Sequence, residues 1–91
     1  PAMKRDLSMV VKKEIFVGQI EKIFRDKGGK LLEGFELFDV YEGDQIEKGY
    51  KSVAYSLTFR AQDRTLEEAE VNKIVDKILE ELKTLGIELR A

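Results

Sequence analysis

Cysteine and histidine are both absent from the 91-residue sequence, and this double absence excludes more chemistry than any motif present. Without thiolates or imidazoles there are no disulfides, no iron-sulfur clusters, no cysteine or histidine metal centres, and no Ser-His or Cys-His nucleophilic pair. Long apolar runs are missing as well. The longest are only a few residues, so no membrane-spanning helix is expected, and no apolar signal region follows Pro1-Ala2-Met3-Lys4-Arg5. A cytoplasmic location is the expectation. The chain also lacks an excess of positive charge, since 16 basic residues stand against 18 acidic ones. A polycation that grips any nucleic acid through counterion release is therefore excluded, and contact with RNA would have to be local.

What is present suffices for one core and not for two, at 43% hydrophobic residues with 37% charged. The chain begins at Pro1 without an initiator methionine and enters a strand pattern almost at once. The expectation is one domain, residues 1–91, cut from a longer chain.

Periodicity separates strands from helices. Leu7, Met9 and Val11 alternate with Asp6, Ser8 and Val10 as a first strand. Phe16, Ile20, Ile23 and Phe24 recur at helical spacing until Gly28-Gly29, which supplies the left-handed stop. Lys30 to Tyr41 is a long apolar stretch whose inward parity changes, from odd at Phe35 and Leu37 to even at Phe38 and Val40, which predicts a bulge near Leu37. A polar, glycine-bracketed connection, Glu42 to Gly49, leads to Tyr50–Arg60, where Val53, Tyr55, Leu57 and Phe59 alternate with Ser52, Ala54, Ser56 and Thr58. Thr65-Leu66-Glu67-Glu68 reads as a capping box, with Thr65 as the cap of a second helix. Val71, Ile74, Val75, Ile78, Leu79 and Leu82 trace its apolar stripe, and Gly86 precedes a short strand, Ile87–Arg90. The order β-α-β-β-α-β predicts an α+β ferredoxin-like sandwich, a four-stranded antiparallel sheet with both helices on one face.

That architecture hosts many functions, so function must be argued from the open face. Parity puts Leu7, Met9, Phe38, Val40, Val53, Tyr55, Leu57 and Phe59 under the helices. The open face then carries Asp6, Ser8, Asp39, Tyr41, Tyr50, Ser52, Ala54, Ser56 and Thr58. Such a floor lets a planar group approach the backbone, Tyr41 offers a ring for stacking, and a nucleobase suits both. Each residue also has an ordinary reading as a solvent-facing strand position. An acylphosphatase-like enzyme is disfavoured because Lys12-Lys13-Glu14-Ile15 has no glycine cradle and the only asparagine, Asn72, lies in the second helix. A metallochaperone needs a cysteine pair. A small-ligand regulatory domain stays open. So does an RNA recognition motif, since Lys48-Gly49-Tyr50-Lys51-Ser52-Val53-Ala54-Tyr55 partly matches that family's strand signature; its stacking rings, however, are replaced by Ser52 and Ser8.

A wider similarity spans the chain. Arg5-Asp6-Leu7, Glu36-Leu37-Phe38-Asp39-Val40-Tyr41-x-Gly43, Lys51-Ser52-Val53-Ala54-Tyr55-x-Leu57-x-Phe59-Arg60 and Asp63-Arg64-Thr65-Leu66 resemble the ferredoxin-fold anticodon-binding domain at the C-terminus of bacterial phenylalanyl-tRNA synthetase β subunits. The resemblance implies an RNA-binding pocket in which the first anticodon base, a guanine, stacks on Tyr41 and is enclosed by Asp39, Ser8 and Ser52. Lys4, Lys51, Arg60 and Arg64 become candidates for phosphate contacts, with salt bridging or loop clamping as the competing role for Arg5 and Arg64. The resemblance further implies tRNA(Phe) as partner, no catalytic residue, metal or cofactor in this monomeric domain, and a parent ligase of α2β2 form whose catalytic α subunit serves ATP and Mg2+ chemistry placed elsewhere.

Overall fold

A computed structural model describes residues 1–90, with Ala91 outside the described residues. The first strand, β1, runs over Met3–Lys12 and is longer at both ends than its alternating apolar stretch. Helix α1 spans Val17–Gly28, strand β2 Leu32–Tyr41, strand β3 Tyr50–Phe59, helix α2 Glu68–Lys83 and strand β4 Glu88–Leu89. All neighbouring strands are antiparallel, in the order β2-β3-β1-β4. The two sequence-adjacent strands β2 and β3 pair directly, and each helix carries the chain across the sheet, which is the split βαβ arrangement expected from the element order. Among the described residues no helix is long and apolar enough to cross a membrane.

One face of the sheet makes the core. Leu7, Met9 and Val11 of β1 and Val53, Tyr55, Leu57 and Phe59 of β3 join Ile20, Ile23 and Phe24 of α1 and Val71, Ile78 and Leu82 of α2 in a single buried cluster. The Phe24 ring meets Tyr55 edge-on at 4.9 Å and Phe35 at 5.4 Å, a geometry that favours aromatic pairs. The Tyr55 hydroxyl is satisfied within the core by donating to Glu21 Oε2 at 2.7 Å.

Both helices start in the same way. At α1, Phe16 N–H donates to Gln19 Oε1 at 2.9 Å; at α2, Glu67 N–H donates to Glu70 Oε2 at 3.0 Å. The residue before each cap, Ile15 or Leu66, and the residue five positions on, Ile20 or Val71, are buried in the same core. These are the positions of a hydrophobic staple. The staple corrects the expected start of α2: with Leu66 anchored inward, the cap falls at Glu67 and the box partner is Glu70, whereas Thr65 is exposed and precedes the helix. At the end of α1 the two glycines divide the work. Gly28 is packed so tightly on Leu32 that a Cβ would collide with it, and Gly29 takes a positive φ of 65° with an extended ψ of −159°, a combination open to glycine, in place of the expected left-handed turn.

Strand β2 is where expectation and structure part. Its pairing with β3 shifts between Leu37 and Asp39, leaving Phe38 as the extra residue, and a second shift between Leu32 and Gly34 was not foreseen. Phe38 and Val40, expected beneath the helices, are 53% and 52% exposed. Phe38 is the bulge residue itself. Val40 pairs with Val53 and so takes the helix-side register, but β2 is an edge strand that α1 touches chiefly around Phe35, and its distal end lies beyond that cover.

Candidate nucleic-acid interface

Pairing register defines which side chains share a face, because directly opposed residues project to the same side. Ser8, Ala54 and Asp39 form one cross-strand row, and Val10, Ser52 and Tyr41 form the next. Since Tyr55, Val53 and Leu57 face the core, both rows lie on the helix-free side. Ser8, Asp39, Tyr41 and Ser52 are thus brought together on two adjacent rows.

The rows have relief. Ala54 and Ser52 are buried, Ser52 to 3% exposure, although no helix covers them; their short side chains form a floor sunk between taller neighbours. Tyr41, 37% exposed, stands at one side, with the exposed Asp39 and Ser8 at the ends of the other row. No salt bridge among the described residues engages the Asp39 carboxylate. It is a free acceptor for two parallel N–H donors.

The bulge at Phe38 creates this arrangement. Before it, Phe35 and Leu37 pair with the core-facing Leu57 and Tyr55; after it, Asp39 and Tyr41 pair with Ala54 and Ser52. An unbroken alternation from Phe35 would have turned Asp39 and Tyr41 toward the helices. Gly43 then makes room for the phenol, since a Cβ there would collide with the Tyr41 hydroxyl. The loop after β2 is fixed by the Lys13–Glu42 ion pair at 2.9 Å, by Lys13 N–H donating to the Gly49 carbonyl at 3.0 Å, and by the buried Ile46.

The basic residues separate into different roles. Lys4 pairs with Thr58 and lies on the open face, four residues along β1 from Ser8, about 13 Å at strand rise. Lys51 pairs with Val11 on the helix side, and its ammonium donates to the carbonyls of Lys13 and Ile15 at 3.3 and 3.0 Å, so it braces the β1–α1 connection. Arg60 is held by Glu33 and Arg64 by Glu70, each at 2.7 Å. Hydrogen bonding from Arg64 draws the Glu70 carboxyl below its ordinary value, and that bond raises Arg64 in turn. Arg5, on the helix side, reaches Asn72 at 3.5 Å and Glu68 at 3.9 Å. Of the four phosphate candidates, Lys4 is the one that the pairing register puts on the face of Asp39 and Tyr41 without an ion-pair partner among the described residues.

One residue on that face escaped the sequence reading. Leu89 pairs with the core-facing Met9, and Arg90 N–H donates to the Ser8 carbonyl at 2.7 Å, which places Arg90 beside Ser8 on the open side. Parity in Ile87–Arg90, with Ile87 buried and Glu88 and Arg90 alternating against it, was the available signal, but a strand of two residues is too short to make it audible. The centre of the open face holds Ser8, Val10, Ser52 and Ala54, none of them aromatic, so the stacking rings of an RNA recognition motif have no counterpart there.

Comparison with known proteins agrees with this architecture. The family model described as "Ferredoxin-fold anticodon binding domain" matches residues 1–90. The phenylalanine–tRNA ligase beta subunit of Clostridium tetani is 55% identical over 91 residues, covering 99% of this chain and 12% of the relative. Those of Clostridium acetobutylicum and Symbiobacterium thermophilum are 44% and 43% identical, again over essentially all of this chain and over 12% and 10% of their own lengths. The chain therefore spans only about an eighth of the ligase subunits it matches. A family match over nearly every residue, on the split βαβ sheet just described, makes the conclusion direct: the chain belongs to the ferredoxin-fold anticodon-binding domain family.

Proposed function

We propose that the two open-face rows capture the first anticodon base of tRNA(Phe), a guanine, and that the chain serves as the anticodon-reading module of a longer phenylalanine–tRNA ligase β subunit. The observation that carries this reading is the adjacency of a free carboxylate, an aromatic ring and a sunken floor of small side chains on one helix-free face. Guanine stacks on Tyr41, a contact that contributes about 1–3 kcal/mol. Its Watson–Crick edge presents two neighbouring donors, the ring N–H and the amino group, and the Asp39 carboxylate accepts from both. Adenine has an acceptor at the equivalent ring nitrogen and is rejected. Ser52 and Ser8 allow close approach and donate or accept at the edges of the pocket, and Lys4 remains for a phosphate.

The role is recognition, not catalysis. Among the described residues no group of three or more His, Cys, Asp or Glu side chains is placed to hold a metal ion; in this reading ATP and magnesium bind elsewhere in a cytoplasmic α2β2 ligase, whose catalytic α subunit performs the chemistry. With one base and few phosphates in contact, this chain alone binds RNA weakly and as a monomer.

The test is Asp39→Asn in a ligase carrying this domain. Discrimination in kcat/KM between tRNA bearing guanine and tRNA bearing adenine at the first anticodon position falls by about tenfold, within the range for one lost bidentate base contact. Unchanged discrimination removes Asp39 from the pocket.

A further inference from the structure

Arg90 extends from the end of β4 across the open face. Its guanidinium carbon lies over the Tyr41 ring, 5.8 Å from the centroid, and its Nη2 donates to Gln45 Oε1 at 3.4 Å. The residue is fixed at its root by the 2.7 Å bond from its backbone N–H to the Ser8 carbonyl. It thereby prolongs the row Ser8–Ala54–Asp39 by one position, at the end opposite Asp39. The short side chains of Ser8, Ala54 and Ser52 leave its path over the sheet clear. The nearest acidic side chain on its own strand is Glu88, opposite Val10, and no salt bridge among the described residues joins either Glu88 or Asp39 to Arg90.

The spacing is informative. A guanidinium within about 6 Å of a ring centroid makes a cation–π contact, whereas a base held between the two needs about 7 Å between their planes. At 5.8 Å from the centroid, the Arg90 guanidinium already caps the Tyr41 ring at the outer edge of that range, in the place that a base stacked on Tyr41 would take. Gln45 holds it over the ring from the loop after β2.

We infer that Arg90 is the second plate of the base pocket: the anticodon guanine enters between the Tyr41 ring and the Arg90 guanidinium, which swings outward and stacks on the base's far face. This rests on the reading of Tyr41 as a stacking platform and adds a specific holding residue to it. A guanidinium suits the position because it is planar, permanently charged and weakly hydrated, so it covers an electron-rich base face with little desolvation. Lysine, a compact point charge, lacks the plane.

The experiment uses this chain with two RNA hairpins, presenting the phenylalanine anticodon with either guanine or adenine in the first position, titrated by NMR into the millimolar range. In the native chain the guanine hairpin moves the Arg90 Nε–H and the Tyr41 ring protons together, the ring current of one base acting on both. Arg90→Ala weakens guanine-hairpin binding about fivefold, the scale of a partly desolvated cation–π contact, and Arg90→Lys recovers less than half of that loss. Equal binding by Arg90→Lys and the native chain overturns the inference in favour of a simple phosphate contact. Unchanged or tighter binding by Arg90→Ala overturns it in favour of a bystander or a lid. A native chain that fails to prefer guanine over adenine, or shows no saturable shifts, sinks the base-capture reading itself. Preference for guanine with indifferent Arg90 variants removes only the second plate.

Discussion

Replacing Tyr55 by phenylalanine deletes one hydroxyl from the centre of the core and leaves the ring. Tyr55 is fully buried, and its hydroxyl donates to Glu21 at 2.7 Å. A hydrogen bond to a charged partner contributes about 1.5–3 kcal/mol, but Glu21 is only half-buried and regains water when the phenol is gone, so the net loss at neutral pH is about 1–2 kcal/mol. For a domain of this size that lowers Tm by about 4–16 °C. The pH dependence adds a sharper test. Burial first, and then the Glu21 carboxylate, push the Tyr55 phenol well above its ordinary 10.0. The unfolded chain releases this proton above about pH 10 while the folded chain keeps it, so the advantage of tyrosine is complete below that pH and shrinks above it, by about 1.4 kcal/mol per pH unit. Urea unfolding of native and Tyr55→Phe chains, at neutral pH and at about pH 11, reads both effects, since the other titrating groups are common to both. Equal stability at neutral pH, or a difference that stays constant above about pH 10, refutes the argument.

Two further predictions probe elements that position the pocket. Deleting Phe38 joins Leu37 to Asp39 and makes the ladder continuous through Leu37↔Tyr55 and Asp39↔Ala54; Asp39 and Tyr41 keep their side of the sheet. Guanine-hairpin Kd therefore stays within about threefold of native, less than 1 kcal/mol, and loss of binding in a folded deletion chain counts against register as the presenting device. At the start of α2, Leu66→Ala costs about 2–5 kcal/mol in urea unfolding as a core truncation, whereas Thr65→Ala at its exposed neighbour changes stability by less than about 0.5 kcal/mol. The reverse ranking restores Thr65 as the cap.

The sequence was most legible where burial is one-sided. In β1 and β3 the alternation of Leu7, Met9 and Val11, and of Val53, Tyr55, Leu57 and Phe59, follows from a helix-covered face opposite an open one, so strand, face and neighbours could be read together. Element ends were less legible because they depend on contacts outside the element. Nothing local to Thr65 reports that Leu66 is anchored in the core and carries the cap to Glu67. Lysine and arginine identities likewise say nothing of geometry: Lys51 looks like a strand residue ready for phosphate, yet register turns it to the helix side, where it supports two carbonyls. Arg90 was invisible for the opposite reason, a two-residue strand being too short for any period.

The bulge shows how these limits meet in one place. The apolar run from Phe35 to Val40 carries inward residues of both parities, and only an extra residue reconciles them. That residue does two things at once. It leaves Phe38 and Val40 apolar but uncovered, which identity alone could not reveal, because the cover is set by how far α1 reaches over an edge strand. It also turns Asp39 and Tyr41 away from the helices. On the open side the Asp39 carboxylate stands in the row of Ser8 and Ala54, next to the row of Tyr41 and Ser52, where it meets water or a donor-bearing ligand. The exposed phenylalanine and the exposed carboxylate are thus two results of one register shift: with Phe38 in the chain, the bulge is what keeps Asp39 and Tyr41 on the open side.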